Sequence, residues 1–290
     1  MLTMLTELAA RNLPAFFALL AVVQLIAKEV GFGLGRYQMR KPNFKDDSVG
    51  MVSASIFGLL AFSLAFNLSL ASGRFNDRLS AALDEANSIG TLWLQAKAVD
   101  HPRAVAIAGL TEQYVQLRKQ GITADWGDEQ IKNAANEISR MQNEMWGHLT
   151  ALIKDRVDPQ IAQLTGSMNA TFDSTTTMQN LSHRNSPPEV IMLLLGMTIV
   201  AMGVMGFQFA LNGHAHRLLG LTMILVWTSV LLVILDLGAA RIGDIRVDTS
   251  AYDSTIRSME PMPIAALAPK GRSGLQPQPN GATWAQAVQQ

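Results

Sequence analysis

Val49-Gly-Met-Val-Ser-Ala-Ser-Ile-Phe-Gly-Leu-Leu-Ala-Phe-Ser-Leu-Ala-Phe-Asn-Leu-Ser-Leu70 carries no charge over its whole length. At ~1.5 Å per residue it is long enough to cross a bilayer core of ~30 Å, so it reads as a transmembrane helix. No Pro follows until Pro102, and the pattern beyond Arg74 changes from uniformly apolar to one-sided. Phe75, Leu79, Ala82, Ala86, Ile89, Trp93 and Ala96 recur at steps of three and four, the seam of a helix packed on others in water. One helix is therefore expected to leave the membrane and enter a soluble domain without a break.

Working outward, Leu13 to about Leu34 is a first span, with Asn12 and Pro14 as start signals. Lys28 and Glu29 on it must lie near an interface, and Gly31, Gly33 and Gly35 read as its end. The connection to Asp47 carries Arg36, Arg40, Lys41 and Lys45. After Pro102 three amphipathic helices follow. One runs from Arg103 to Lys119, with Ile107, Leu110, Tyr114 and Leu117 on a stripe. The next runs from Asp128 to Val157, with His148 where the stripe wants an apolar residue. The last runs from Gln160 to about His183, where Asn169, Asp173, Thr176 and Asn180 form a polar stripe. Together with the continuation of span 2 they make a helical bundle. Val190–Leu211 and Leu218–Leu235 form a second membrane hairpin.

The fold class expected is all-α, an integral membrane protein with four transmembrane helices and a helical bundle inserted between spans 2 and 3. The expected division is a first hairpin over 1–71, the bundle over 72–187, a second hairpin over 188–237, and a juxtamembrane segment with a disordered Pro/Gly/Gln-rich tail over 238–290. Arg241 to Val247 is expected to lie along the membrane surface.

Composition narrows the function. The chain is 49% hydrophobic and 16% charged, with formal net charge zero, which gives no basic surface for nucleic acid. It has no Cys, so thiolate metal sites, disulfides and Cys nucleophiles are excluded. His214 and His216 have no third ligand nearby in sequence, so neither a metal nor a cofactor is expected. No Walker loop, zinc signature or Ser-His-Asp set is present, and no enzyme is indicated. With four spans, Lys28, Arg36, Arg40, Lys41, Lys45 and Arg217 mark the short-loop side. Arg11, Arg74, Arg78, Arg184, Arg241 and Arg246 mark the bundle side. Short connections weigh more in topology than long domains, which places the bundle outside the cytoplasm of a bacterial inner membrane.

Two constellations stand out. Ser55, Phe62, Phe66, Ser69 and Gly73 fall within one narrow arc of span 2, with Asn67 near its end. Ala54, Gly58, Ala61 and Ala65 form an adjacent strip of small residues that lets another helix approach. Phe rings on such an arc could form a hydrophobic pore constriction, and the same spacing also suits rings that face lipid or neighbouring helices. In the bundle, Asp84, Glu85, Asn87, Asn169 and Asp173 could form a buried polar network or bind a ligand, or could be a solvated face. Asp236, near the end of span 4, reads as an interfacial group with a local polar contact.

The run Gly58-Leu-Leu-Ala-Phe-Ser-Leu-Ala-Phe-Asn-Leu-Ser-Leu-Ala-Ser-Gly-Arg-Phe75 and the block Asp84-Glu-Ala-Asn-Ser-Ile-Gly-Thr91 resemble the bestrophin-like domain family of bacterial four-span membrane proteins. Asn169, Asp173, Leu235-Asp-Leu-Gly and Ile245-Arg-Val also match its pattern. That family is distantly similar to the bestrophins, pentameric anion channels whose second membrane helix lines the pore. The resemblance implies a homo-oligomer, an anion as permeating partner, Phe62 and Phe66 as pore-neck residues, and Arg74-Phe75 as a basic-aromatic pair beyond the neck. Bestrophins often carry a basic residue where this chain has Asn67, their acidic calcium clasp has no counterpart here, and their soluble domain is cytosolic. The competing expectation is a non-conducting sensor or scaffold whose bundle binds a ligand or protein.

Overall fold

The computed structural model describes residues 13–41, 49–124, 126–156, 158–183, 187–213, 216–238 and 246–260, all of them helix or short connections. The described helices are α1 (Leu13–Met39), α2 (Val49–Ala98), α3 (Pro102–Thr123), α4 (Asp128–Asp155), α5 (Pro159–His183), α6 (Pro188–Leu211), α7 (Arg217–Gly238) and α8 (Ser250–Met259). Four of them, α1, α2, α6 and α7, are long and apolar enough to cross a membrane. The segment 241–245 of the expected surface stretch, the tail from 261 onward and His214 lie outside the described residues.

α2 is the axis of the molecule. Its 50 residues form one helix about 75 Å long, and no Pro interrupts it. In the membrane half it packs on α6 and α7; in the other half it packs on α3, α5 and α8. Two apolar cores follow. Leu60, Leu64 and Ala71 of α2 meet Leu194, Ala201, Leu231 and Ile234 in the first. Ile89, Leu92 and Ala96 meet Ile107, Tyr114, Met145, Leu152, Leu164 and Met168 in the second. Side-chain caps start the shorter helices. His101 Nδ1 accepts from the Arg103 N–H ahead of α3, Asp158 from the Gln160 N–H in α5, and Asp248 from the Ser250 N–H in α8.

Three expectations are corrected. First, Gly31, Gly33 and Gly35 do not end the first span, because α1 continues to Met39. Gly31 and Gly35 let α6 approach instead. A Cβ at Gly31 would stand 1.8 Å from the Gly203 carbonyl oxygen, and one at Gly206 would stand 1.9 Å from the Lys28 oxygen. Backbone-to-backbone contact of this kind is how helices bind each other where lipid removes the hydrophobic incentive. Second, the soluble seam of α2 is wider than its apolar residues alone predict. Ala82, Ala86, Ile89 and Ala96 are buried as expected, but Arg78 and Glu85 are buried with them, while Leu79 is 39% exposed. In α4, Leu149 is buried and His148 is half-buried beside it. Third, the juxtamembrane segment, for which no element is expected ahead of the Pro/Gly/Gln-rich tail, contains Ser250–Met259. This stretch is a helix docked on α2 and α3, with Tyr252, Thr255 and Met259 on its buried face.

The glycine contact makes a prediction. Gly206→Ala and Gly31→Ala should each lower stability by about 1–3 kcal/mol, the usual cost of overpacking. Gly33→Ala, whose Cβ meets nothing within 4 Å, should leave it unchanged. Unfolding of the purified protein in detergent micelles checks all three.

Candidate functional site

The bundle's centre is a charged group on α2. Glu85 is fully buried, and its carboxylate accepts four hydrogen bonds. Arg118 of α3 donates twice, Nε to Oε1 at 2.5 Å and Nη2 to Oε2 at 2.9 Å. Thr175 of α5 donates to Oε1 at 2.7 Å, and Tyr252 of α8 donates to Oε2 at 2.6 Å. The Thr175 proton is committed to Glu85, so Tyr114 must be the donor in its 2.8 Å contact with Thr175. Gln142 of α4 then donates to Tyr114 at 2.9 Å. Every proton in this chain points toward the carboxylate, so each bond polarises the next. α3 contributes two members, Tyr114 and Arg118, and α2, α4, α5 and α8 contribute one each.

Electrostatics hold the network in that state. For Arg118, burial works against the charge, but the Glu85 charge and hydrogen bonds outweigh it and keep the guanidinium above its ordinary value. Burial, with Glu85 adding to it, pushes the Tyr252 phenol far up; burial also raises Tyr114. Both phenols therefore stay neutral donors. Around the network, Lys119 pairs with Asp253 at 2.5 Å and the Thr255 hydroxyl donates to the Ala86 carbonyl at 3.1 Å, fixing α8 against α2 and α3.

Of the five bundle candidates, only Glu85 enters this network. Asp84 and Asn87 on α2 and Asn169 and Asp173 on α5 are exposed. Arg118, Thr175, Tyr114 and Tyr252 were passed over. Arg118 gives the one usable signal, a charge at helical spacing from Thr111 and Tyr114 on a buried face. Tyr252 gave none, because its partner lies 167 residues away.

The second candidate site is the outer strip of α2. Ser55, Phe62, Phe66 and Ser69 are all exposed on one face. Phe62 is 69% and Phe66 55% exposed, and their rings stack at 6.3 Å. Asn67 is not on this face; it is half-buried and donates to the Ser63 carbonyl of its own helix. At ~100° per residue the same arc continues through Gly73, Asn76, Ser80, Asp84, Asn87 and Thr91. These too are exposed, so one open strip runs from the membrane half into the bundle half. Asp84 is its charged residue, with Asp77 at its margin. Arg78 points the other way, into the interior. Among the described residues no group of three or more metal-ligating side chains occurs.

A four-span, all-α architecture whose second span continues as a bundle helix defines a multi-pass membrane protein. No protein-family model and no curated protein matches the chain. Solved structures do share its fold. One, a crystal structure of a membrane protein carrying a point substitution, superposes with a TM-score of 0.58 at 13% identity, over 84% of this chain and 95% of that one. Another, a bacterial bestrophin homologue from Klebsiella pneumoniae with an isoleucine-to-alanine mutation, gives 0.53 at 12% identity, with coverage of 84% and 95%. The fold is thus distantly bestrophin-like, and the resemblance read from Gly58–Phe75 and Asp84–Thr91 agrees with it.

The network makes three predictions. Arg118→Met should cost about 3–5 kcal/mol by stranding Glu85, and adding Glu85→Gln should recover part of that loss. Tyr252→Phe should cost about 1.5–3 kcal/mol, for a bond to a charged acceptor. A phenol pushed up in the folded state lends stability that is fully present below the unfolded value of about 10 and is lost as pH rises beyond it. Denaturant midpoints measured from pH 8 to 11 should therefore fall at the alkaline end, and less steeply in Tyr252→Phe.

Proposed function

We propose that the chain assembles with copies of itself into an ion channel, with α2 of each copy around the axis and Phe62 and Phe66 as the constriction. The observation that carries this is the uninterrupted open strip of α2. A helix buried by its neighbours on one side and left open along about 54 Å on the other suits a shared axis. In the membrane half the strip is small, hydroxylated and aromatic, the make-up of a gate that closes by dewetting. About 27 Å beyond Phe66 it reaches Asp84, in a stretch of Asn, Ser and Thr.

The permeating ion follows from the same strip. The family resemblance implies anions, but among the described residues Asp84 on the strip forms no ion pair, and rings of carboxylates favour cations. The proposal therefore departs from the resemblance on this point. The alternative, a sensor whose bundle binds a ligand in its polar core, is less favoured because Glu85 already accepts four bonds from its own chain. The short-loop charges support a bacterial inner membrane with the bundle on the non-cytoplasmic side.

Protein purified and reconstituted in liposomes tests the reading. Conductance is expected, Phe66→Ala should raise it by widening the constriction, and Asp84→Asn should shift the reversal potential in a salt gradient toward anions. Silent bilayers from ordered protein, with Phe66→Ala indistinguishable from the parent, would remove the channel. A reporter active only in the cytoplasm, inserted at Asn212, should report activity; silence there with activity at Ala124 would invert the orientation.

A further inference from the structure

α2 holds a second buried charge, at the level where the membrane half meets the bundle, and it is not matched as Glu85 is. Arg78 is 2% exposed. Its Nη2 donates to the Leu237 carbonyl in the last turn of α7 at 2.6 Å. Its Nε and Nη1 are buried and have no hydrogen-bond partner among the described residues. The exposed carboxylate of Asp77, the preceding residue, acts on it through space but supplies no bond to either nitrogen. A guanidinium cannot shed its charge to escape such a site. Arg118, equally enclosed one face along, shows what a completed arginine looks like in this protein: two bonds to one carboxylate.

The location narrows what is missing. α7 ends at Gly238, and its apolar run ends at Leu235, so the Leu237 carbonyl marks the edge of the hydrocarbon layer. Arg78 therefore lies at headgroup depth. Arg74, one helical turn nearer the bilayer on the same helix, adds a second positive charge and has contacts of its own. Like charges four residues apart on a helix repel, and Asp77 between them offsets the repulsion on Arg78 only in part. Guanidinium N–H groups match the oxygens of a phosphate better than a spherical ion, and basic recesses between membrane helices bind lipid headgroups. The flexible arginine stem can carry its head a few ångströms toward that layer without moving the backbone.

We propose that Arg78, assisted by Arg74, binds a phosphate-bearing anion at the junction of α2 and the end of α7. The phosphate comes either from the phosphodiester of a membrane lipid or from free inorganic phosphate. Bound there, it completes the donors that Leu237 leaves unmet and clamps the centre of α2 to the second membrane hairpin. The site does not depend on whether the protein conducts.

The test is thermal unfolding of the full chain in dodecyl maltoside, which has no phosphate, at constant ionic strength. One arm titrates sodium phosphate against sodium chloride; the other titrates short-chain phosphatidylglycerol against a phosphate-free alkyl glucoside. A saturable rise in midpoint is expected in at least one arm. A rise with lipid alone identifies the headgroup, and a rise with phosphate alone identifies the free anion. Arg78→Met should unfold no earlier than the parent without anion, since an uncompensated charge is gone, and should lose the rise. If Arg78→Met does not fold, Arg78→Lys replaces it, and its half-saturation should be about tenfold weaker. No saturable rise in either arm, or an equal rise in the Met variant, or in the Lys variant where that stands in, overturns the proposal.

Discussion

A single carboxylate is the point at which the soluble helices of this protein meet. Glu85 is carried by the helix that also crosses the membrane, and it is bonded by α3, α5 and α8 at once, with α4 attached through Gln142, Tyr114 and Thr175. A buried ion pair of this kind is weak evidence for added stability, since desolvation consumes most of the attraction. Its effect is to specify an arrangement. An apolar residue at position 85 would let α2 rotate or slide against its neighbours, whereas four convergent donors accept one register only. Because α2 is unbroken, that register is imposed on its membrane half too.

The membrane half uses different physics for the same end. Lipid competes for every apolar side chain, so α1 and α6 meet through Gly31 and Gly206, where the backbones touch. α2 packs on α6 and α7 along one side through Leu60, Leu64 and Ala71. Its other side stays open in the single chain. Bundle and bilayer thus hold α2 from the same direction, and this leaves one continuous strip, from Ser55 to Thr91, for whatever surrounds the axis.

Much of this was legible in advance because a bilayer tolerates few solutions. Backbone groups in lipid must be satisfied within the segment, so charge-free runs such as 49–70 and 190–211 read directly as helices. The arc of Ser55, Phe62, Phe66 and Ser69 follows from helical geometry alone. In the soluble half the seam is legible where it is apolar, at Ala82, Ala86, Ile89 and Ala96, and illegible where Arg78, Glu85 and Arg118 occupy it, because apolar spacing does not mark a buried charge; Leu79 and His148 are correspondingly less buried than Arg78 and Leu149. The glycines of α1 look like a helix end until α6 is beside them. α8 carries weak local signals, an Asp248 cap and Tyr252, Thr255 and Met259 on one face; what gives so short and polar a helix its place is distant, in Tyr252 reaching Glu85, Asp253 pairing with Lys119 and Thr255 bonding to Ala86.

The central claim is that membrane and bundle share one rigid helix whose register is set at Glu85. Hydrogen exchange of the protein in lipid nanodiscs, resolved along α2, measures this directly. Slow, contiguous protection from Leu64 through Leu92, with no gap at the bilayer edge, is the predicted result. A fast-exchanging segment around Gly73, flanked by protected halves, would show two independent helices and contradict it.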